Sequence, residues 1–238
     1  MGKILLIASG KGGVGKTTLA VNVGMAFAQQ GKSVIIADMN VGMRNDDIYL
    51  GLEDRILFDF GDVCSGVCKL EKAIVRHDEY PNLSLLSCPQ NRGIDGLTTG
   101  HARALYAKLR KEYDYVIVDM PTIKCDSFPY LATGADESVL VVNQDYVSMR
   151  NGEGINSRIA GMGVSKRWYI VNMLFDQSFS RDGLPSLDTI DKNIDAQCLG
   201  YIPFDFAINL ANNNGTPIVL DERMQSAKSL TDIALRLL

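Results

Sequence analysis

Short, almost wholly apolar runs alternate along this chain with longer stretches that are apolar on one side only. The runs "KILLIAS" (3–9), "SVIIAD" (33–38), "LSLLS" (83–87), "YVIVDM" (115–120), "SVLVVN" (138–143), "WYIVNM" (168–173) and "CLGYIP" (198–203) are strand-length and rich in Val and Ile. Strands without a polar face are covered on both sides, as parallel strands are. Residues 16–30 carry a stripe of Leu19, Val23, Met25, Ala26 and Phe27 and stop at Gly31, the residue that suits a helix end. Residues 99–112, 147–161 and 225–238 are further helices, the second weakened by Gly152 and Gly154. The polar stretch "DQSFSRDGLPS" (176–186) predicts a surface loop. Together these predict an α/β fold: a single doubly wound, mostly parallel sheet with helices on both faces, in one domain over 1–238.

Composition narrows the class. A net charge of −4 argues against a dominant nucleic-acid footprint, so no nucleic acid is expected as a partner. Five cysteines, an odd number in a chain of this length, point to reduced thiols and a cytoplasmic setting. No apolar run approaches the ~18 residues of a membrane span. His77 and His101 stand away from any motif, so histidine acid–base chemistry has no support.

The chemistry is concentrated in "SGKGGVGKTT" (9–18). Gly10, four residues, then Gly15-Lys16-Thr17 form a phosphate-binding loop placed between a strand and a helix. Glycines at 10, 12, 13 and 15 let the backbone turn its N–H groups toward phosphate oxygens, and the positive end of helix 16–30 adds a favourable field. Val14 and Thr18 complete the loop. Lys16 reaches β- and γ-phosphates, and the Thr17 hydroxyl completes a Mg²⁺ shell. Such an ion also needs an acid at a neighbouring strand end. Asp119 has that position, and Asp38 is a second acid on the same edge, suited to a metal-bound or attacking water. Lys11 is ambiguous by spacing: a solvated lysine, or a second cation that stabilises charge near a γ-phosphate.

"KGGVGKTT" resembles the deviant Walker A motif of the MinD/ParA family of ATPases. Further segments resemble the MinD-like members: "VGMRNDDIYLGLE" (41–53), "DVCSGVCKLEKAIV" (62–75), "LSCPQNRGIDGLT" (86–98), "NQDYVSMRNGEGI" (143–155) and "GYIPFDFAINLANNNGTPIVLD" (200–221). The resemblance implies ATP/ADP and Mg²⁺ as cofactors and a homodimer in the ATP state. It implies that Lys11 crosses that interface to the partner copy's ATP. It places Asn172 and Pro203, Phe204 and Asp205 around the adenine; an Asn side chain suits adenine because it offers donor and acceptor together. It also implies a regulatory partner of the MinC/MinE kind that recognises the dimer, and a role at the cell-division site.

Three departures qualify the resemblance. The family has Asp-x-Asp after its second strand, whereas this chain has Asp38-Met39-Asn40. An amide orients water but takes no proton, so hydrolysis is expected to be weak; Asn40 is either natural or an engineered change. After Asp119 the chain reads "MPTIK" in place of a Gly-containing turn, which puts the γ-phosphate switch at Thr122 and Ile123 in doubt. Finally, 225–238 has the apolar face Leu230, Ile233, Ala234, Leu237 and Leu238 but only Lys228 and Arg236 for positive charge. A helix docked on the domain is expected, not a basic membrane-surface helix. Either a membrane tail is missing from this sequence or the protein is a soluble relative. Rival readings are a non-hydrolysing scaffold, a positioning ATPase for flagella, pili or plasmids, and a metal-insertion ATPase using Cys64 and Cys68.

Overall fold

The computed structural model describes residues 1–94, 96–121, 125–175 and 183–238. Its strands are β1 Lys3–Ala8, β2 Val34–Asp38, β3 Ile74–Arg76, β4 Leu83–Leu86, β5 Tyr115–Asp119, β6 Glu137–Asn143, β7 Lys166–Leu174 and β8 Gln197–Pro203. They form one sheet in the order β3-β4-β2-β5-β1-β6-β7-β8. Every pairing is parallel except β3 with β4. All seven expected strands are present. The eighth, β3, is three half-buried or exposed residues on the edge, too short to stand out in the sequence.

The helices are α1 Lys16–Gln29, α2 Asp46–Tyr49, α3 Phe60–Cys64, α4 Leu70–Ala73, α5 Thr99–Glu112, α6 Phe128–Ala132, α7 Tyr146–Gly161, α8 Leu187–Asn193, α9 Phe206–Asn213 and α10 Gln225–Leu237. Alternation along β1 divides the core into two layers, because successive side chains point to opposite faces. Ile4, Leu6 and Ala8 pack with α5, α6 and α7, while Leu5 and Ile7 pack with α1 and α10. The four longest helices coincide with the four expected ones; the shorter helices carry too few turns to show a period.

Gly152, a weak point by propensity, has a packing reason. A Cβ there would lie 2.7 Å from Val142 Cγ1, so the glycine lets α7 settle closely on β6. The α10 helix docks as expected: Leu230, Ile233, Ala234 and Leu237 are each at most 2% exposed. Burying each of the leucines and the isoleucine contributes about 1.5–3 kcal/mol. Leu238 is a correction: it follows the helix and is 41% exposed, outside the packed face. Of the expected loop 176–186, residues 176–182 lie outside the described residues; Ser186 caps α8 by accepting a hydrogen bond from the Thr189 amide.

Candidate functional site

The loop 9–15 joins β1 at the middle of the sheet to α1. Its glycines divide into two kinds. A Cβ on Gly10 would meet the Asn151 backbone at 2.3 Å, and one on Gly15, at φ 96, would meet Asn172 Nδ2 at 2.2 Å. These two let the loop lie against α7 and β7. A Cβ on Gly12 or Gly13 would meet nothing within 4 Å, so this stretch of backbone fronts open space. Helix α1 begins with no side-chain cap and no acid in its first turn, leaving its first N–H groups and positive dipole end to a ligand. Val14 is buried in the core layer beneath the loop, and Lys16 is only 7% exposed. The Thr18 hydroxyl accepts from Asn212 Nδ2 at 3.2 Å.

Strand register brings the acids together. Asp38 and Asp119 are paired neighbours at the ends of β2 and β5. The Thr17 hydroxyl donates to Asp119 Oδ2 at 2.6 Å, linking loop and acid. Asp38 is also the organiser of its own loop: it accepts from the amides of Asn40 (2.9 Å), Asn45 (3.1 Å) and Asp46 (3.4 Å) and from Cys88 Sγ (3.4 Å). Burial, then the Asp38 charge, pushes Asp119 up to about 7, with Lys16 and Thr17 acting in the opposite direction. Burial raises Asp38 as well, though its amide donors oppose the rise.

The structure adds an acid that the sequence reading missed. Asp46 joins Asp38 and Asp119 in a group whose ligand atoms lie within 4.8 Å of one another, all three buried. Burial raises Asp46 well above its ordinary range, followed by the charges of Asp38 and Asp119. "NDD" before an apolar residue reads as acids opening a helix; only the return of this loop to the ends of β2 and β5 reveals the cluster. A divalent cation fits this place: the donors are hard oxygens, and Asp119 Oδ1 is buried without a partner.

Asn40 points elsewhere. Its backbone faces Asp38, and its side-chain amide donates to the Met43 carbonyl at 3.2 Å. Lys11 is not simply solvated: Nζ pairs with Asp145 Oδ2 at 2.9 Å, both side chains partly exposed. Partial burial pushes Asp145 up, but Lys11 and the Ser148 amide outweigh it and hold the carboxyl below its ordinary range. Asp145 also caps α7. Spacing gives no sign of this partner, 134 residues away.

Asn172 braces the loop, donating from Nδ2 to the Val14 carbonyl at 2.8 Å. Beside it β7 shifts register, with Met173 at φ 54. Asp205 is occupied on both oxygens, by the Ala207 amide (2.9 Å) and the Ser226 hydroxyl (2.6 Å), so it fixes α9 to α10. Phe204 is 53% exposed and stacks on Phe175 at 5.5 Å, leaving it and Pro203 as the apolar surface at the end of β8. Thr122 and Ile123 lie outside the described residues. Burial, then Asp59, pushes Cys64 up to about 11, so without a metal it is a neutral thiol.

The CobQ/CobB/MinD/ParA nucleotide binding domain matches residues 5–218. The chain belongs to that family. Within the MinD/ParA family it is 33% identical over 224 residues to the septum site-determining protein MinD of Synechocystis, covering 94% of this chain and 84% of that one. It is 30% identical to MinD of Bacillus subtilis, covering all of this chain and 90% of the other. Among solved structures it is similar to the MinD cell division protein of Aquifex aeolicus, with TM-score 0.88 and 32% identity over 99% of this chain and 96% of that one. It is equally similar to MinD in the MinC:MinD complex from the same organism, with TM-score 0.89, 33% identity and coverage of 99% and 95%.

Proposed function

We propose that the chain is an ATP-dependent dimerisation switch of the MinD type with weak, Mg²⁺-dependent ATP hydrolysis, acting in the placement of the division site. The whole of 1–238 serves as one P-loop ATPase domain. The observation that carries this reading is the open, uncapped cradle at Gly12, Gly13 and the start of α1, facing the Thr17–Asp119 pair.

In this reading Gly10 to Thr18 hold the phosphates through backbone N–H groups, with Lys16 neutralising the β- and γ-oxygens. Thr17, Asp38 and Asp119 would hold Mg²⁺, which when bound supplies charge neutralisation on the phosphates. Asp38 keeps the attacking water in place, and Asn40 joins it only when its amide leaves the Met43 carbonyl. Asn172 holds the loop's shape at Val14, and Pro203 and Phe204 supply an apolar wall for the base. Lys11 leaves Asp145 to reach the second copy's ATP. The ion pair it gives up is a partly exposed one, worth about 0–1 kcal/mol, so the exchange costs little. A protein that reads the dimer completes the switch, in keeping with the MinC:MinD complex of the Aquifex relative. We place the protein in the cytoplasm, on the reduced thiols expected of its five cysteines. Among the described residues no helix is long and apolar enough to cross a membrane.

The test is molar mass in solution with ATP·Mg²⁺ and with ADP. A dimer with ATP alone supports the reading, and lone subunits in both overturn it. The orientation of Asn40 favours a second reading, a nucleotide-dependent scaffold that does not hydrolyse. Background phosphate release that rises in Asn40→Asp would select it.

A further inference from the structure

We infer that Asp46 is a cation-binding residue of the nucleotide site, completing with Asp38 and Asp119 a three-carboxylate seat for a hard divalent cation beside the phosphate loop. The inference rests on the reading of that loop as a nucleotide site. Its starting point is the juxtaposition: three carboxylates from the ends of β2 and β5 and the start of α2, with ligand atoms within 4.8 Å.

Asp46 has no structural role that would account for it. Its side chain is fully buried, and neither carboxylate oxygen meets an N–H or hydroxyl donor among the described residues; its one polar neighbour is the Asp119 carboxyl, itself a member of the cluster. The adjacent Asp47 shows the contrast: it is equally buried but pairs with Arg44 at 2.7 Å. The charges that act most strongly on Asp46 are those of Asp38, Asp119 and Asp47, all acidic. An isolated buried carboxylate costs several kcal/mol, and like charges around it add to that. A cation among the three removes both costs at once.

The chemistry of the donors selects the ion. All are oxygens, and the nearby Cys88 thiol lies outside the three, donating to Asp38 at 3.4 Å. Hard oxygen donors suit Mg²⁺ or Mn²⁺ and disfavour soft metals. The seat adjoins the phosphate loop, because Asp119 also accepts from Thr17 at 2.6 Å. Position 40, where the resemblance expects a carboxylate, holds an amide turned to Met43. Asp46 returns a third acid to the site from six residues further along the chain.

Mn²⁺ binding, read by electron paramagnetic resonance with and without ADP, tests this on the wild-type chain, Asp46→Asn and Asp46→Leu. Both variants should bind Mn²⁺ at least about 10-fold more weakly in the ADP complex, the loss typical of removing a metal-site partner. Unchanged Mn²⁺ affinity in both overturns the role of Asp46 and leaves the nucleotide reading standing. Asp46-dependent Mn²⁺ binding in a chain that binds no ADP keeps the cation seat and removes the nucleotide reading. No Mn²⁺ binding by the wild type overturns the seat. A crystal grown with Mn²⁺ and ADP needs no variant: an ion on Asp46 directly or through one water supports the inference, and one remote from Asp46 ends it.

Discussion

The two lysines of the loop share a sequence motif but not an environment. Lys16 is 7% exposed at the first turn of α1, whereas Lys11 reaches out to Asp145. Their substitution should therefore separate two functions. Lys16→Ala should lose nucleotide affinity itself, measured by calorimetry. Lys11→Ala should bind nucleotide as before but no longer dimerise with ATP by light scattering, while folding stability changes by no more than about 1 kcal/mol, since only a partly exposed ion pair is lost. The phosphate loop was legible from its residues because glycine, lysine and threonine at fixed spacing answer a local requirement. Asp46 and Asp145 were not legible, because their meaning depends on partners brought up from distant strands and helices.

At the scale of elements, close approach explains what propensity does not. Gly152 sits in the middle of α7, where propensity would favour alanine by roughly 1 kcal/mol. The 2.7 Å clash with Val142 reverses that preference. Gly152→Ala should destabilise the fold by about 1–3 kcal/mol in chemical unfolding, the usual cost of overpacking. Because α7 also presents Asn151 to Gly10 and Asp145 to Lys11, the same change should weaken ATP-dependent dimerisation. The seven apolar strands were readable because burial on both faces leaves no polar position. Short helices such as α2 and α3 escaped notice because one turn has no period.

For the whole molecule, the gathering of buried acids at the C-terminal ends of β2 and β5 makes stability depend on pH. Asp119 has an ordinary value of 3.8 and is pushed up to about 7 in the fold. Below about pH 4 it is protonated in both the folded and unfolded chain. Above that the unfolded chain releases a proton the folded chain still holds, so this group's contribution to stability falls as pH rises toward 7. Thermal unfolding without divalent cations should show the wild type losing more stability between pH 4 and 7 than Asp119→Asn. An identical slope in the two proteins would show that the buried acid does not titrate as described.

The sequence by itself determined the class of fold, the docking of the last helix and the location of the phosphate loop. Each is encoded locally, in apolar runs, helical period or fixed spacing. Only the tertiary structure decided that Lys11 rests on Asp145, that Asn172 holds Val14, and that Asp46 meets Asp38 and Asp119. The reason is physical: those contacts join residues through strand order and register, and neither quantity can be read from any one segment of the chain.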